Sequence, residues 1–304
     1  MNCNNCIKKP VIKLTNSNIS LCKKHFIRYF EKKVLQTIRK FNLIEKGDKI
    51  GVAISGGKDS FTTLSILKQF HDKKIITLEA LAIDEGIKDY RDLKYVKKFC
   101  KDNKIKLHIL TYKDFFDNTL DVMVKKFKNK TSCSYCGVFR RYLLNLGAKK
   151  FNFTKLATGH NLDDEAQTIL MNQFRNNPEL SARLGPVTGI IIDKKFIKRI
   201  KPLYLVTEKE TTTYAFLKKF PIKFSECPYA NQGYRDSVRN MLNDFEAKYP
   251  GTKHSLIDSF IQIMPMLKEN FKEVKSLNSC KICQEPTSKD ICQACNYKEQ
   301  LRNL

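Results

Sequence analysis

A chain of 304 residues that is 42% hydrophobic and 11% aromatic is long enough to bury a full core, which excludes an intrinsically disordered protein. No apolar run approaches the roughly 18 residues of a membrane span, and the polar start MNCNNCIKKP has no signal-like apolar region, so a soluble, cytoplasmic protein is expected. Lys and Arg number 56 against 31 acids, a net +25 that favours a polyanionic partner, above all a nucleic acid, over lysines merely scattered on solvated faces.

In chain order, residues 1–28 hold Cys3, Cys6, Cys22 and His25 and read as a small metal-held module. Apolar positions Phe26, Ile27, Phe30, Val34, Leu35 and Ile38 recur at helical spacing through residue 41. Residues 49–54 (KIGVAI) predict a buried strand and 60–70 the helix after it. Residues 76–83 predict a second strand, 90–103 a helix, and 105–110 a third strand. Helical stretches near 114–127 and 133–147 lead to a strand near 153–158 and a helix near 162–175. This alternation predicts an α/β fold, a doubly wound parallel sheet with helices on both faces. Residues 176–190 carry Pro and Gly and read as a loop or lid, before helices near 207–219, 233–248 and 252–272. The chain closes with a second cysteine module in 276–304.

Three groups of residues carry chemistry. Ser55-Gly56-Gly57-Lys58-Asp59-Ser60 lies between a strand and a helix, where glycines allow close backbone approach and helix amides face an anion. It is not a Walker A loop, because Val52 stands where that motif has Gly and Asp59 follows the lysine. Cys280-x2-Cys283-x8-Cys292-x2-Cys295 and Cys3-x2-Cys6-x15-Cys22-x2-His25 have the ligand number and knuckle spacing of two structural Zn2+ sites. Cys133, Cys136 and Cys227 are one ligand short of a closed tetrahedral site. They are open to three readings: an iron–sulfur cluster with one free iron, a redox pair with a persulfide on Cys227, or a three-cysteine zinc. Cys100 falls on the inward side of its helix and reads as a packed thiol. Asn161 followed by Asp164 is a capping-box start, yet Asp163, Asp164 and Glu165 together exceed what capping needs. Arg235 and Arg239, four residues apart, can share a helix face toward RNA phosphates, with a solvated face as the alternative.

SGGKDS on the first strand resembles the PP-loop of ATP pyrophosphatases. Thr158-Gly159-His160-Asn161-Leu162-Asp163-Asp164-Glu165-Ala166 resembles the second motif of the PP-loop enzymes that thiolate tRNA, and Ala82-Ile83-Asp84-Glu85-Gly86 their adenosine-side turn. With the cysteine modules, the whole chain resembles the TtcA/TtuA family of tRNA 2-thiouridine synthetases, nearest the TtuA-like branch. The resemblance implies a PP-loop (HUP/Rossmann-like) catalytic domain at 29–225, a helical tRNA-binding extension at 226–275, and zinc fingers at 1–28 and 276–304. It implies that Lys58, Asp59 and Asp164 are catalytic. ATP with Mg2+ would be bound by Ala53, Ser55, Gly56, Gly57, Lys58, Asp59, Ser60, Ile83, Arg140 and Gly159. A 4Fe-4S cluster on Cys133, Cys136 and Cys227 would hold the incoming sulfur. The implied partners are tRNA, a sulfur donor (sulfide or a ubiquitin-like thiocarboxylate carrier) and a second copy in a homodimer. An amide-forming PP-loop ligase would not need the internal cysteines, and a non-catalytic zinc-module RNA-binding protein would leave SGGKDS unexplained.

Overall fold

A computed structural model describes residues 2–90, 92–127, 131–189, 196–222, 227–230, 233–272 and 278–303. The chain begins with a two-strand hairpin, β1 (Ile12–Lys13) and β2 (Ser20–Leu21), and runs into α1 (Lys23–Lys40). Phe26, Phe30, Val34 and Ile38 form the buried stripe of α1, at the spacing that puts them on one helix face. Then follow β3 (Lys49–Ala53), α2 (Lys58–Asp72), β4 (Thr77–Asp84), α3 (Leu93–Asp102) and β5 (Lys106–Thr111). Next come α4 (Tyr112–Phe116), α5 (Leu120–Lys126), α6 (Ser132–Lys150), β6 (Lys155–Ala157), α7 (Leu162–Phe174) and α8 (Pro178–Ala182). The remainder is β7 (Lys198–Ile200), α9 (Glu208–Leu217), α10 (Tyr234–Lys248), α11 (Thr252–Asn270), the hairpin β8 (Asn278–Ser279) and β9 (Pro286–Thr287), and α12 (Gln293–Arg302).

Five strands form one parallel sheet in the order β5-β4-β3-β6-β7, as the alternation predicted. The chain runs outward from β3 to β5, then returns to the other side of β3 at β6. Strand order therefore reverses between β3 and β6, and a crevice opens beyond their carboxyl ends, where ligands bind in sheets of this kind. The two sequence motifs leave the sheet at those two strand ends.

The predicted strands and most helices lie within a few residues of their expected bounds. Three details differ. The helix expected over 114–127 is two, α4 and α5, because Asp117 takes a left-handed conformation (φ 58°) and ends the first. The loop expected over 176–190 contains α8, which starts with Pro178 in its first turn, where proline's missing N–H costs nothing. Strand β7 carried no sequence signal: of Lys198, Arg199 and Ile200 only Ile200 is buried, because the strand is a sheet edge.

The terminal modules are fastened into the body. Cys3, Leu14, Leu21 and Cys22 bury with Phe26, Phe30 and the strand residues Ile50 and Val52. Cys280, Cys292, Cys295 and Leu301 bury with Tyr135, Phe139 and Leu143 of α6. A third apolar cluster joins Leu162, Ala166 and Ile169 of α7 to Val238 and Leu242 of α10 and Ile257 and Phe260 of α11. No helix among the described residues is long and apolar enough to cross a membrane.

Candidate active site

The phosphate-loop segment leaves β3 and turns at Gly56, whose φ of 81° lies in the left-handed region. Gly57 is the N-cap of α2, so no side chain caps that helix and its first amides face outward. Ser60 Oγ donates to the carbonyl of Gly57 at 2.8 Å and accepts from the N–H of Ser55 at 3.2 Å, which stitches the loop closed. Lys58 Nζ lies 3.0 Å from Asp59 Oδ2 and 2.9 Å from Glu208 Oε1, at the start of α9. Burial opposes a charge on Lys58, but the two carboxylates outweigh it and raise its pKa. Burial also raises Asp59, against the pull of Lys58.

The second motif meets the first directly. A Cβ on Gly159 would sit 2.8 Å from the carbonyl carbon of Asp59 and 3.0 Å from the nitrogen of Ser60, so only glycine lets the turn after β6 approach α2 this closely. Asn161 Nδ2 donates to Asp59 Oδ1 at 3.3 Å. Asn161 and Asp164 form the expected capping box, each accepting the other's backbone N–H at 3.1 Å.

The three neighbouring acids divide their work. Asp163 is buried on Lys253 Nζ and accepts the N–H of Glu208 at 2.7 Å. Glu165 is buried on Lys201 Nζ at 2.7 Å. Their excess over capping thus reflects two buried ion pairs. Only Asp164 faces the crevice. Its pKa is raised to about 6, first by burial, against the capped helix amide, and further by Asp59; Arg235 Nη1 is 3.8 Å away.

On the other side of β3, Ile83 is buried at the end of β4 and Ala53 is partly buried beside it at the end of β3. Arg140 reaches across from α6: its Nε is 2.9 Å from Glu85 Oε1 and its Nη2 is 3.3 Å from Cys136 Sγ. Tyr112 Oη donates to the carbonyl of Cys136 at 2.8 Å and lies 3.6 Å from its sulfur. Burial raises the Cys136 thiol, opposed by Arg140 and Tyr112. Cys133 is exposed, Cys136 buried and Cys227 half-buried. The segment bearing Cys227 is tied to the start of α6 by Ser132 Oγ, which donates to the carbonyl of Tyr229 at 2.8 Å. Cys100 is buried and its pKa is raised to about 11 by that burial, as a packed thiol requires.

The terminal quartets are gathered. In each of Cys3, Cys6, Cys22, His25 and Cys280, Cys283, Cys292, Cys295, one ligand atom per residue lies within 4.8 Å of all the others. The internal trio is not gathered at that distance among the described residues. A single ion needs four atoms around one point, whereas a multi-iron cluster spreads its cysteines over separate irons. Burial would raise Cys3 and Cys280, but backbone amides bring each down to about 6.

Sequence reasoning did not single out Glu208, Tyr112, Lys201 or Lys253, which have no motif to mark them and reach the site only through the fold. Arg235 packs on α7, its Nη2 donating to Thr168 Oγ1 at 3.0 Å, with its side chain still partly exposed. Arg239 pairs with Asp236 on its own helix at 3.4 Å.

Residues 26–245 match the PP-loop domain model. The chain is 38% identical to the tRNA-5-methyluridine(54) 2-sulfurtransferase of Pyrococcus horikoshii, over 98% of this chain and 93% of that one. It is 35% identical to the tRNA 2-thiolation protein NcsA of Haloferax volcanii, over 99% of both. The solved U34-tRNA thiolase NcsA of Methanococcus maripaludis, with its [4Fe-4S] cluster, superposes with a TM-score of 0.85 at 30% identity, covering 99% of this chain and 96% of that one. A PP-loop match over most of the chain, with the sheet, the glycine loop and the second motif where such a domain needs them, places this protein in the PP-loop family, among the tRNA 2-thiolation proteins.

Proposed function

We propose that the protein is a cytoplasmic, ATP-dependent tRNA sulfurtransferase that converts a uridine of tRNA to 2-thiouridine, releasing AMP and pyrophosphate. The observation that carries this reading is Arg140, which touches Glu85 beside the nucleotide crevice and Cys136 of the cysteine trio with one guanidinium. Nucleotide chemistry and sulfur chemistry are thereby held at one place, which an amide-forming ligase has no use for.

The outward amides of α2, with Ser55, Gly56, Gly57 and Ser60, bind the β- and γ-phosphates that leave together. Lys58 exchanges its ion pairs with Asp59 and Glu208 for the phosphates, and there offsets charge building on the bridging oxygen as the α–β bond breaks. The uridine O2 attacks the α-phosphorus, pyrophosphate departs, and C2 acquires an AMP leaving group in place of a poor oxide. Sulfur then attacks C2, AMP leaves with the original oxygen, and 2-thiouridine remains. Asp164 and Asp59 serve the first step by orienting the reactants, and would be the carboxylates to hold a Mg2+ brought in with ATP, which would supply charge neutralisation at the phosphates. Ala53, Ile83 and Gly159 border the nucleotide.

The donors around Cys133, Cys136 and Cys227 fit a cluster: three thiols on two segments, with Tyr112 and Arg140 directed at one sulfur. Bound there, a 4Fe-4S cluster would supply an iron without a protein ligand on which sulfur from sulfide or a carrier can be held. The terminal quartets suit Zn2+, which would hold each module's knuckles together.

The test is anaerobic incubation of the purified protein with ATP, sulfide and unmodified tRNA, followed by mass spectrometry of the nucleosides. Stoichiometric AMP, pyrophosphate and 2-thiouridine are expected. ATP cleavage to AMP with an amide-bearing nucleoside and no sulfur would move the protein to the ligase class.

A further inference from the structure

Four cations, Lys201, Arg235, Arg199 and Arg140, surround the exposed His160 on the turn after β6. Three of the four have a carboxylate at hand: Lys201 has Glu165 at 2.7 Å, Arg140 has Glu85 at 2.9 Å, and Arg235 has Asp164 at 3.8 Å. Arg199 does not. Its Nη2 instead donates to the backbone carbonyl of Arg141 on α6, at 3.2 Å. The electrostatic neighbour acting on it is a second cation, Arg141 itself. Arg141 has no carboxylate partner among the described residues either, and feels Arg140 beside it.

This crowding has a direction. A long side chain on a helix folds back toward the helix N-terminus, over the residue one turn earlier. For Arg141 that residue is Gly137, and a Cβ there would lie 3.3 Å from Arg141 Nη1. The guanidinium is therefore carried toward the cysteine end of α6, beside Cys136. Arg199 comes from β7, the sheet edge, paired in register with Leu156 of β6 just before the second motif. Arg141 is exposed and Arg199 half-buried, so a macromolecule can reach both. Arg199 Nη2 thus sits on the carbonyl of Arg141 while the Arg141 guanidinium lies one turn back over Gly137, so the two cations flank one stretch of α6, and an anion laid along it meets both.

We propose that Arg141 and Arg199 together form a phosphodiester clamp, which seats the RNA backbone next to the target uridine on the α6–β7 side of the crevice. The assignment rests on the sulfurtransferase reading above and adds to it where the substrate backbone lies. The chemistry is that of a bidentate guanidinium on phosphate oxygens. The phosphates of the nucleotide share that chemistry and are the alternative source of the anion.

The experiment uses the full chain, as Arg141→Gln, Arg199→Gln, the double variant and the Arg→Lys pair. Affinity for unmodified tRNA is measured across a salt series, affinity for ATP is measured in parallel, and thermal melting checks the fold. The double Gln variant should lose about tenfold in tRNA affinity near 0.1 M salt, and its slope of log K against log salt should flatten by about one. The Lys pair should recover part of the loss and the full slope, because charge is restored without the bidentate geometry. ATP affinity should stay at the wild-type value. Unchanged tRNA affinity and slope in a folded double variant overturn the clamp, and so does a fall in ATP affinity with tRNA binding intact. Absence of tRNA binding by the wild type would overturn the sulfurtransferase reading itself, a result read before any variant is compared.

Discussion

The terminal cysteine groups and the internal one are built on opposite plans. Each terminal quartet brings four ligand atoms to one point, leaves none of them exposed, and directs backbone amides at the sulfurs, as where the N–H of Cys292 meets Cys280 Sγ at 3.2 Å. The internal trio comes from segments some 90 residues apart in the chain, runs from exposed Cys133 to buried Cys136, and is served by side chains, Tyr112 and Arg140, that belong to the crevice. A closed set of four leaves a metal nothing to do but hold structure. An incomplete set, facing a nucleotide site, leaves a coordination position for chemistry.

The contrast can be broken first at the two sites it compares. Cys227→Ala should abolish 2-thiouridine while ATP binding, tRNA binding and melting temperature stay near wild type, measured by nucleoside mass spectrometry and calorimetry. Lys58→Ala should lower AMP formation by roughly 10²–10³-fold, the usual cost of removing one donor aimed at developing charge, with the metal content of all three cysteine groups unchanged. Cys280→Ala should do the reverse. Its quartet shares a core with Tyr135, Phe139 and Leu143 of α6, so losing the ion should lower the melting temperature by about 10 °C and carry α6 with it. An unchanged melting curve for that variant would mean the quartet holds nothing together.

Smaller effects sharpen the picture. Asp164 binds its proton more tightly in the folded chain, with a pKa raised to about 6 against an ordinary 3.8. The folded state therefore takes up the proton first as pH falls, and the ionised carboxylate costs stability above pH 6. That cost fades between pH 6 and about 4. Asp164→Asn should accordingly stabilise the protein at pH 8 by about 1 kcal/mol, after allowance for a side chain one-third exposed, and by almost nothing at pH 4, while product formation is lost. A destabilised Asn variant at pH 8 would show that the capping box outweighs the buried charge. The smallest change is Cys100→Ala, which should cost about 1 kcal/mol by opening a small cavity and leave iron content untouched.

The strand alternation was legible because β3 and most of β4 are buried on both faces, so that 50–54 (IGVAI) and 80–83 (ALAI) read as apolar runs. The glycine loop and both quartets were legible because their chemistry is local, needing residues a few positions apart. What was hidden is what the sheet brings together. Glu208 on Lys58, Lys253 on Asp163 and Lys201 on Glu165 are contacts across 150, 90 and 36 residues, and no spacing rule announces them. The acidic turn Asp163-Asp164-Glu165 shows the limit of reading locally: its excess over capping is visible in the sequence, but the two buried ion pairs that account for it are visible only in the fold. Edge strand β7 was missed for a related reason, since a strand with one buried residue has no pattern to read.

The relatives act at different uridines, position 54 for the Pyrococcus horikoshii enzyme and position 34 for that of Methanococcus maripaludis, so the modified base must be mapped as well as detected. The most direct test of the open-trio account is anaerobic reconstitution of wild type and Cys227→Ala with iron and sulfide, each assayed for bound iron, zinc and 2-thiouridine formed on tRNA. Cluster iron and mapped 2-thiouridine are expected in the wild type, and neither an intact cluster nor product in the variant, with both terminal quartets still holding zinc. Thiouridine formed by an iron-free Cys227→Ala protein would contradict it.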